Sequence, residues 1–233
     1  MRIEDQGRIL RIEFDQLHVG NSFGIAQAEQ LDATLAQHNQ GKALLVTHQG
    51  RWFCAGGNLK DYSKLSQTQP SESLKINVRI AEVLTRLHQW PGFTVAVVRG
   101  DCFGGGVEVL SCFDLVLSVP HAFYGLWQRR IGLTYGWGGG ARLAERLSRS
   151  ELKLQSLLAN SLCAYSAQRV GLVDEIWPEA RIEERAYAVI AQQEGWSDIP
   201  VAAIKSSTGQ QEQEIFSRLW GNADHLQTLK RWK

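Results

Sequence analysis

The feature that most constrains how this chain can fold is a repeated pairing of a short apolar run with a glycine-rich stretch. Ala43 to Thr47 (ALLVT) is followed by Phe53-Cys54-Ala55-Gly56-Gly57-Asn58-Leu59. Thr94 to Val98 is followed by Arg99-Gly100-Asp101-Cys102-Phe103-Gly104-Gly105-Gly106-Val107-Glu108. Both apolar runs have the character of strands covered on both faces. Glycine at the exit of such a strand lets the backbone approach a ligand closely and turn its N–H groups inward. One glycine run alone is most often a tight turn, whereas two side by side aim two N–H donors at one point, the geometry of an oxyanion hole.

The rest of the chain alternates in the same manner. Ile9 to Phe14 alternates apolar and charged residues as a half-buried strand does. Ile25 to Gln37 reads as a helix with Leu31 and Leu35 on one face. Ser71 to Leu87 is the longest helical segment, with Leu74, Val78, Ala81, Leu84 and Leu87 on one stripe, and Pro91-Gly92 ends it. His48 to Gly57 is a polar, glycine-bearing connection, Asp114 to Val119 a further strand, and Gly136 to Gly140 a turn opening a helix over Ala141 to Leu147. Strands alternating with helices predict an α/β fold with parallel strands and crossover helices. With no repeat or linker, the expected organisation is one core over residues 1–178 and a helical C-terminal region over 179–233. In that region Ile215, Phe216, Leu219 and Trp220 cluster on a helical pattern that must dock on its own core or on a neighbouring subunit.

Composition removes several function classes. A formal net charge of +1 over 233 residues gives no field that selects nucleic acid or a membrane surface. No apolar stretch approaches the roughly twenty residues of a membrane span, and the charged start, Met1 to Gln6, is unlike a signal peptide. Cys54, Cys102, Cys112 and Cys163 lie far apart, so neither a zinc site nor a disulfide framework is expected. Free thiols in a reducing cytoplasm are the expectation. No GxxxxGK[ST] phosphate loop is present, and Gly136 to Gly140 makes no complete dinucleotide fingerprint.

Four segments, in order, resemble the signatures of the crotonase (enoyl-CoA hydratase/isomerase) family. THQGRWFCAGGNL (47–59) resembles its strand followed by F-C/S-A-G-x-D-L, and VAVVRGDCFGGGVEVLSCFDLVL (95–117) its V-x-G-x-x-x-G-G-G-x-E-L. IGLTYGWGGGARLAERL (131–147) is similar to L-G-x-x-P-G-x-G-G-x-x-R-L, and AQRVGLVDEIWP (167–178) to A-x-x-x-G-L-V-x-x-V-x-P. The tail from Phe216 to Leu226 and the Gly136-Trp137-Gly138-Gly139 turn are also similar to those of ethylmalonyl-CoA decarboxylases.

The resemblance implies a spiral of ββα units, assembled as a trimer or hexamer. It implies an acyl thioester of coenzyme A or of acyl-carrier protein as ligand, with coenzyme A entering as part of the substrate and no separate cofactor or metal. It carries two oxyanion donors onto the N–H groups of Gly57 and Gly105, with Ala55, Gly56, Gly104, Trp127 and Tyr135 expected against the substrate. Glu108 falls in the slot of one of the hydratases' two catalytic glutamates. An ungapped alignment through Ile131-Gly132 puts Gln128 in the other, and an amide transfers no proton at neutral pH. Tyr124, Trp127, Arg129 and Tyr135 either replace the missing acid or pack, and packing is expected of both tyrosines. Asn58 stands where the family often has Asp, which suits a turn. His18 to Phe23 stands in for Pro-x-x-N-A-L, and the region after Pro178 is short, which keeps a carrier protein in view. Since decarboxylases of this family tend to keep the first Glu and lack the second, decarboxylation of a malonyl-type thioester is the expected reaction. Hydration or double-bond isomerisation using Glu108 is the alternative, and a silent scaffold the remote one.

Overall fold

In the computed structural model, residues 1–38, 41–58, 70–193, 196, 199–206 and 212–230 are described. The strands are β1 (Arg2–Asp5), β2 (Ile9–Phe14), β3 (Ala43–His48), β4 (Trp52–Cys54), β5 (Thr94–Val98), β6 (Asp101–Phe103), β7 (Leu115–Ser118), β8 (Phe123–Gly125), β9 (Leu162–Cys163) and β10 (Glu175–Ile176). The described α-helices are α1 (Ile25–Gln37), α2 (Pro70–His88), α3 (Gly105–Leu110), α4 (Gly139–Arg146), α5 (Arg149–Leu158) and α6 (Ala164–Val170). The C-terminal part adds α7 (Glu179–Ala191), α8 (Ile199–Ser206), α9 (Glu212–Leu219) and α10 (Ala223–Leu229).

The strands form two sheets wound as one spiral. The larger has the order β1-β2-β3-β5-β7-β10, the smaller β4-β6-β8-β9. Each turn places one strand in each sheet and then a helical segment: β3, β4 and α2, then β5, β6 and α3. The third runs through β7, β8 and a 3-10 turn over Trp127–Ile131. The expected parallel pairing holds along the middle of both sheets, and the outer pairs β1–β2 and β8–β9 run antiparallel. Every residue of β3 and β5 is buried, which is why those strands are continuous apolar runs and not alternating ones. Successive turns approach closely enough that a Cβ at Gly100 would lie 2.7 Å from the carbonyl carbon of Arg51.

α2 forms where expected, but its buried stripe is rotated. Ser73, Ile80, Val83, Leu84 and Leu87 face the core, whereas Leu74 is 63% and Val78 52% exposed. The inward face of the first half is polar because it meets an indole: Trp137 Nε1 donates to Asn77 Oδ1 at 2.9 Å. The polar stretch 48–57 contains a strand, β4, that the sequence reading passes over, and β1 at the charged start is equally unexpected.

The last described strand ends at Ile176, and the elements described after Pro178 are all helices. α7 belongs to the same core, burying Ile182, Ala186 and Ile190. Lys205 ties α8 to it, donating to the carbonyls of Trp90 and Gly92 and pairing with Asp114. In the tail Phe216 packs on Trp220 (centroids 5.4 Å apart) and Trp220 on His225 (4.9 Å), yet Phe216 and Trp220 stay more than half exposed. All four cysteines are free, and burial pushes the Cys54 and Cys112 thiols up to about 12. Among the described residues no helix is long and apolar enough to cross a membrane, and no cluster of metal-ligating side chains occurs.

Candidate active site

The two glycine turns meet at the exits of β4 and β6. Gly56 has φ +103°, and a Cβ there would lie 3.4 Å from the amide nitrogen of Gly105 and 3.1 Å from the carbonyl oxygen of Phe103. Only glycine permits both that conformation and that approach. Phe23 holds the first turn from outside, donating its N–H to Gly56 O (2.8 Å) and accepting from Asn58 N (3.2 Å). The Asn58 contact is made by its backbone N–H, so it does not test the part expected of its side chain. Asn21, buried in the stretch 18–23, donates through Nδ2 to the carbonyls of Gln49 and Trp52 and accepts from the N–H of Gln16. That stretch therefore fixes the entry to β4.

Gly104 has φ +55° and opens α3, so Gly105 takes the first helical position, where a backbone N–H has no intrahelical acceptor. Neither the Gly57 N–H nor the Gly105 N–H has an acceptor among the described residues. Two neighbouring unpaired N–H groups, held by packed backbone, are suited to an oxygen that gains negative charge. Ala55 is exposed, and Gly57, Gly104 and Gly105 are partly so.

Glu108 lies one helical turn further along α3 and is 2% exposed. Its Oε1 accepts from Gln128 Nε2 (3.1 Å) and Gly136 N (3.2 Å), its Oε2 from Trp137 N and Gly139 N (both 2.9 Å). Gly139 is the steric condition for this: a Cβ there would fall 2.8 Å from Glu108 Oε2. Arg142, 5% exposed, grips the same turn by its carbonyls. Its Nη2 donates to Trp137 O (2.9 Å) and Glu108 O (3.2 Å), and its Nε to Ser111 Oγ (3.1 Å). An anion on three amides and a cation on the Trp137 carbonyl therefore hold residues 136–139 against α3.

Gln128 is thus brought against Glu108, and its own Oε1 is buried without a partner among the described residues. Trp127 stacks on Phe103 (centroids 3.7 Å, planes 11° apart) under the Arg130 guanidinium, which places it beside the second glycine turn. Tyr135 bonds Ser156 Oγ, and burial raises its hydroxyl above the usual tyrosine range. Tyr124 is fully buried with its hydroxyl on Ser118 Oγ (2.6 Å), a packing residue as expected. Sequence reasoning gave no role to Asn77, Trp137 or Arg142, although the Arg stood within the third quoted motif.

A spiral of ββα turns with two glycine turns at one mouth is the fold of the enoyl-CoA hydratases. Solved enoyl-CoA hydratases from Bacillus anthracis (22% identical) and Mycobacterium smegmatis (17%) each superpose with TM-score 0.87, covering 99% of this chain and 95% of theirs. The family model for enoyl-CoA hydratase/isomerase matches residues 4–218. Among curated relatives, an ethylmalonyl-CoA decarboxylase of Danio rerio is 30% identical over 222 residues, covering 87% of this chain and 72% of that protein. Another, from Xenopus tropicalis, is 29% identical over 221 residues, covering 88% and 72%. The chain belongs to the enoyl-CoA hydratase/isomerase family.

Proposed function

We propose that the protein decarboxylates a malonyl-type acyl-CoA through a thioester enolate stabilised by the Gly57 and Gly105 N–H groups. The observation that carries this reading is the pair of unpaired N–H groups beside an amide, Gln128, where hydration needs a second carboxylate. In the reaction the bond between Cα and the carboxylate breaks. Its electron pair moves into the thioester carbonyl, carbon dioxide leaves, and Cα takes a proton from solvent. The chain's part is to bind the thioester oxygen more tightly as charge grows on it. Similarity to ethylmalonyl-CoA decarboxylases supports a 2-alkylmalonyl thioester as substrate.

Coenzyme A enters as part of the substrate on this reading, with acyl-carrier protein as the other carrier. The protein works without metal or separate cofactor, as a homotrimer or hexamer in the cytoplasm, in fatty acid metabolism. The exposed Phe216 and Trp220 of α9 and the following turn suit contact with a neighbouring subunit. The test is incubation with malonyl-, methylmalonyl-, ethylmalonyl- and crotonyl-CoA, read by carbon dioxide release and by mass spectrometry. Release from an alkylmalonyl-CoA is expected; hydration of crotonyl-CoA at about 10 s⁻¹ with no release would sink the proposal.

A further inference from the structure

Glu108 is the only acid in a family catalytic slot, yet its surroundings are not those of a group that trades protons. An ionised carboxylate offers about four acceptor positions. Gln128 Nε2 and the amides of Gly136, Trp137 and Gly139 fill them. Four donors and no acceptor fit the ionised form and leave no position for a substrate proton. The contact also orients Gln128. With its NH2 end held by Glu108, its carbonyl Oε1 turns the other way, buried and unpaired. A buried acceptor without a partner marks a place where a donor belongs. Gln128 also lines a cavity of about 220 Å³, together with Leu126, Leu133, Thr134, Leu157 and the polar groups of Arg129, Tyr135 and Ser156.

We infer that Glu108 is a positioning residue. It holds the 136–139 turn, and with it Trp137, and it fixes the Gln128 amide with its NH2 on the carboxylate and its carbonyl turned away. The group that meets Gln128 Oε1 is then a hydrogen-bond donor, and the substrate carboxylate lies elsewhere. Only this last step rests on the decarboxylase reading.

The test uses the whole protein, the variants Glu108→Gln and Gln128→Met, and two kinds of readout. Amide hydrogen exchange, followed by NMR without substrate, is expected to speed up by about 10-fold or more at Gly136, Trp137 and Gly139 in Glu108→Gln. In Gln128→Met, which leaves the carboxylate in place, the Trp137 and Gly139 amides should stay protected. Unchanged protection in Glu108→Gln would overturn the positioning role. Should that variant not fold, Glu108→Asp keeps the charge but withdraws it by one methylene and is judged in the same way.

The second readout is carbon dioxide release from ethylmalonyl-CoA against pH. Glu108→Gln should lower kcat at every pH without changing the shape of the profile; loss of a limb would show Glu108 exchanging a proton. Gln128→Met should lower kcat by about 10-fold with KM little changed, and an unchanged kcat would remove the acceptor role. A wild type that decarboxylates no malonyl thioester sinks the proposed function, while the exchange measurement still decides the part played by Glu108.

Discussion

The indole of Trp137 covers Gly105 so closely that a Cβ at position 105 would lie 2.6 Å from its Cη2 and 2.9 Å from its Cε3. Gly105 therefore has two reasons to be glycine: its N–H faces the site, and its α-carbon is the seat of an aromatic ring. Gly105→Ala is expected to push the two apart and displace the donor. Loss of one such donor lowers turnover by roughly 10²–10³-fold. Carbon dioxide release measured beside far-UV circular dichroism checks this, and an active, folded Gly105→Ala protein would remove that N–H from the mechanism.

Gly139→Ala puts a methyl group against the Glu108 side chain, closest to its Cγ and still only 2.7 Å from Cβ and 2.8 Å from Oε2. The carboxylate must leave at least one of its amides, of which those of Trp137 and Gly139 belong to buried residues. Overpacking of this kind destabilises by about 1–3 kcal/mol. Urea unfolding of the variant should show a lower midpoint with an unchanged slope; an unshifted midpoint would mean the turn yields freely.

Gln128→Glu sets a second carboxyl group 3.1 Å from Glu108, where the amide NH2 now lies. Like charges at that separation cannot both form easily, so the new group holds its proton to a higher pH than an ordinary glutamate. While protonated it replaces the lost donor; once ionised it repels Glu108 and breaks the contact. The ratio of variant to wild-type decarboxylation should thus fall as pH rises. A ratio that stays flat from pH 5 to 8 would contradict the assigned contact.

His48 closes β3 with an unprotonated Nε2 that accepts the N–H of Arg99 at 2.8 Å. Burial lowers its pKa from 6.5 to about 4. Between those values the unfolded chain binds a proton that the folded chain does not, so this stability is complete above about 6.5 and lost as pH falls towards 4. The loss is on the order of 3 kcal/mol. Stability measured by urea unfolding over that window should decline less steeply in His48→Gln than in the wild type, and equal slopes would assign the decline to other groups.

The parts of the fold that were legible in the sequence are those with a period of their own. α1 and α2, and the buried strands β3 and β5, each extend over enough residues for a helical stripe or an apolar run to show. The strands of the smaller sheet span two or three residues, too few for any alternation, so β4 was absorbed into a polar connection. The rotated stripe of α2 failed for another reason: Leu74 and Val78 satisfy the pattern, and only the position of Trp137, sixty residues on, shows that Asn77 is the inward residue. In the site, the glycine turns were readable because backbone demands are local. The Glu108 grip on residues 136–139 was not, because its partners lie about thirty residues apart and meet only once the spiral closes.

The close approach of Gly100 to the backbone of Arg51 packs one turn of the spiral directly on the next. The glycine turns that hold Gly57 and Gly105 follow β4 and β6, adjacent strands of one parallel ladder, so the gap between them is set by sheet spacing, roughly 4.8 Å. A change in the cavity walls that leaves β4 and β6 paired is therefore expected to alter which groups surround the two turns without altering the distance between the strands that carry them.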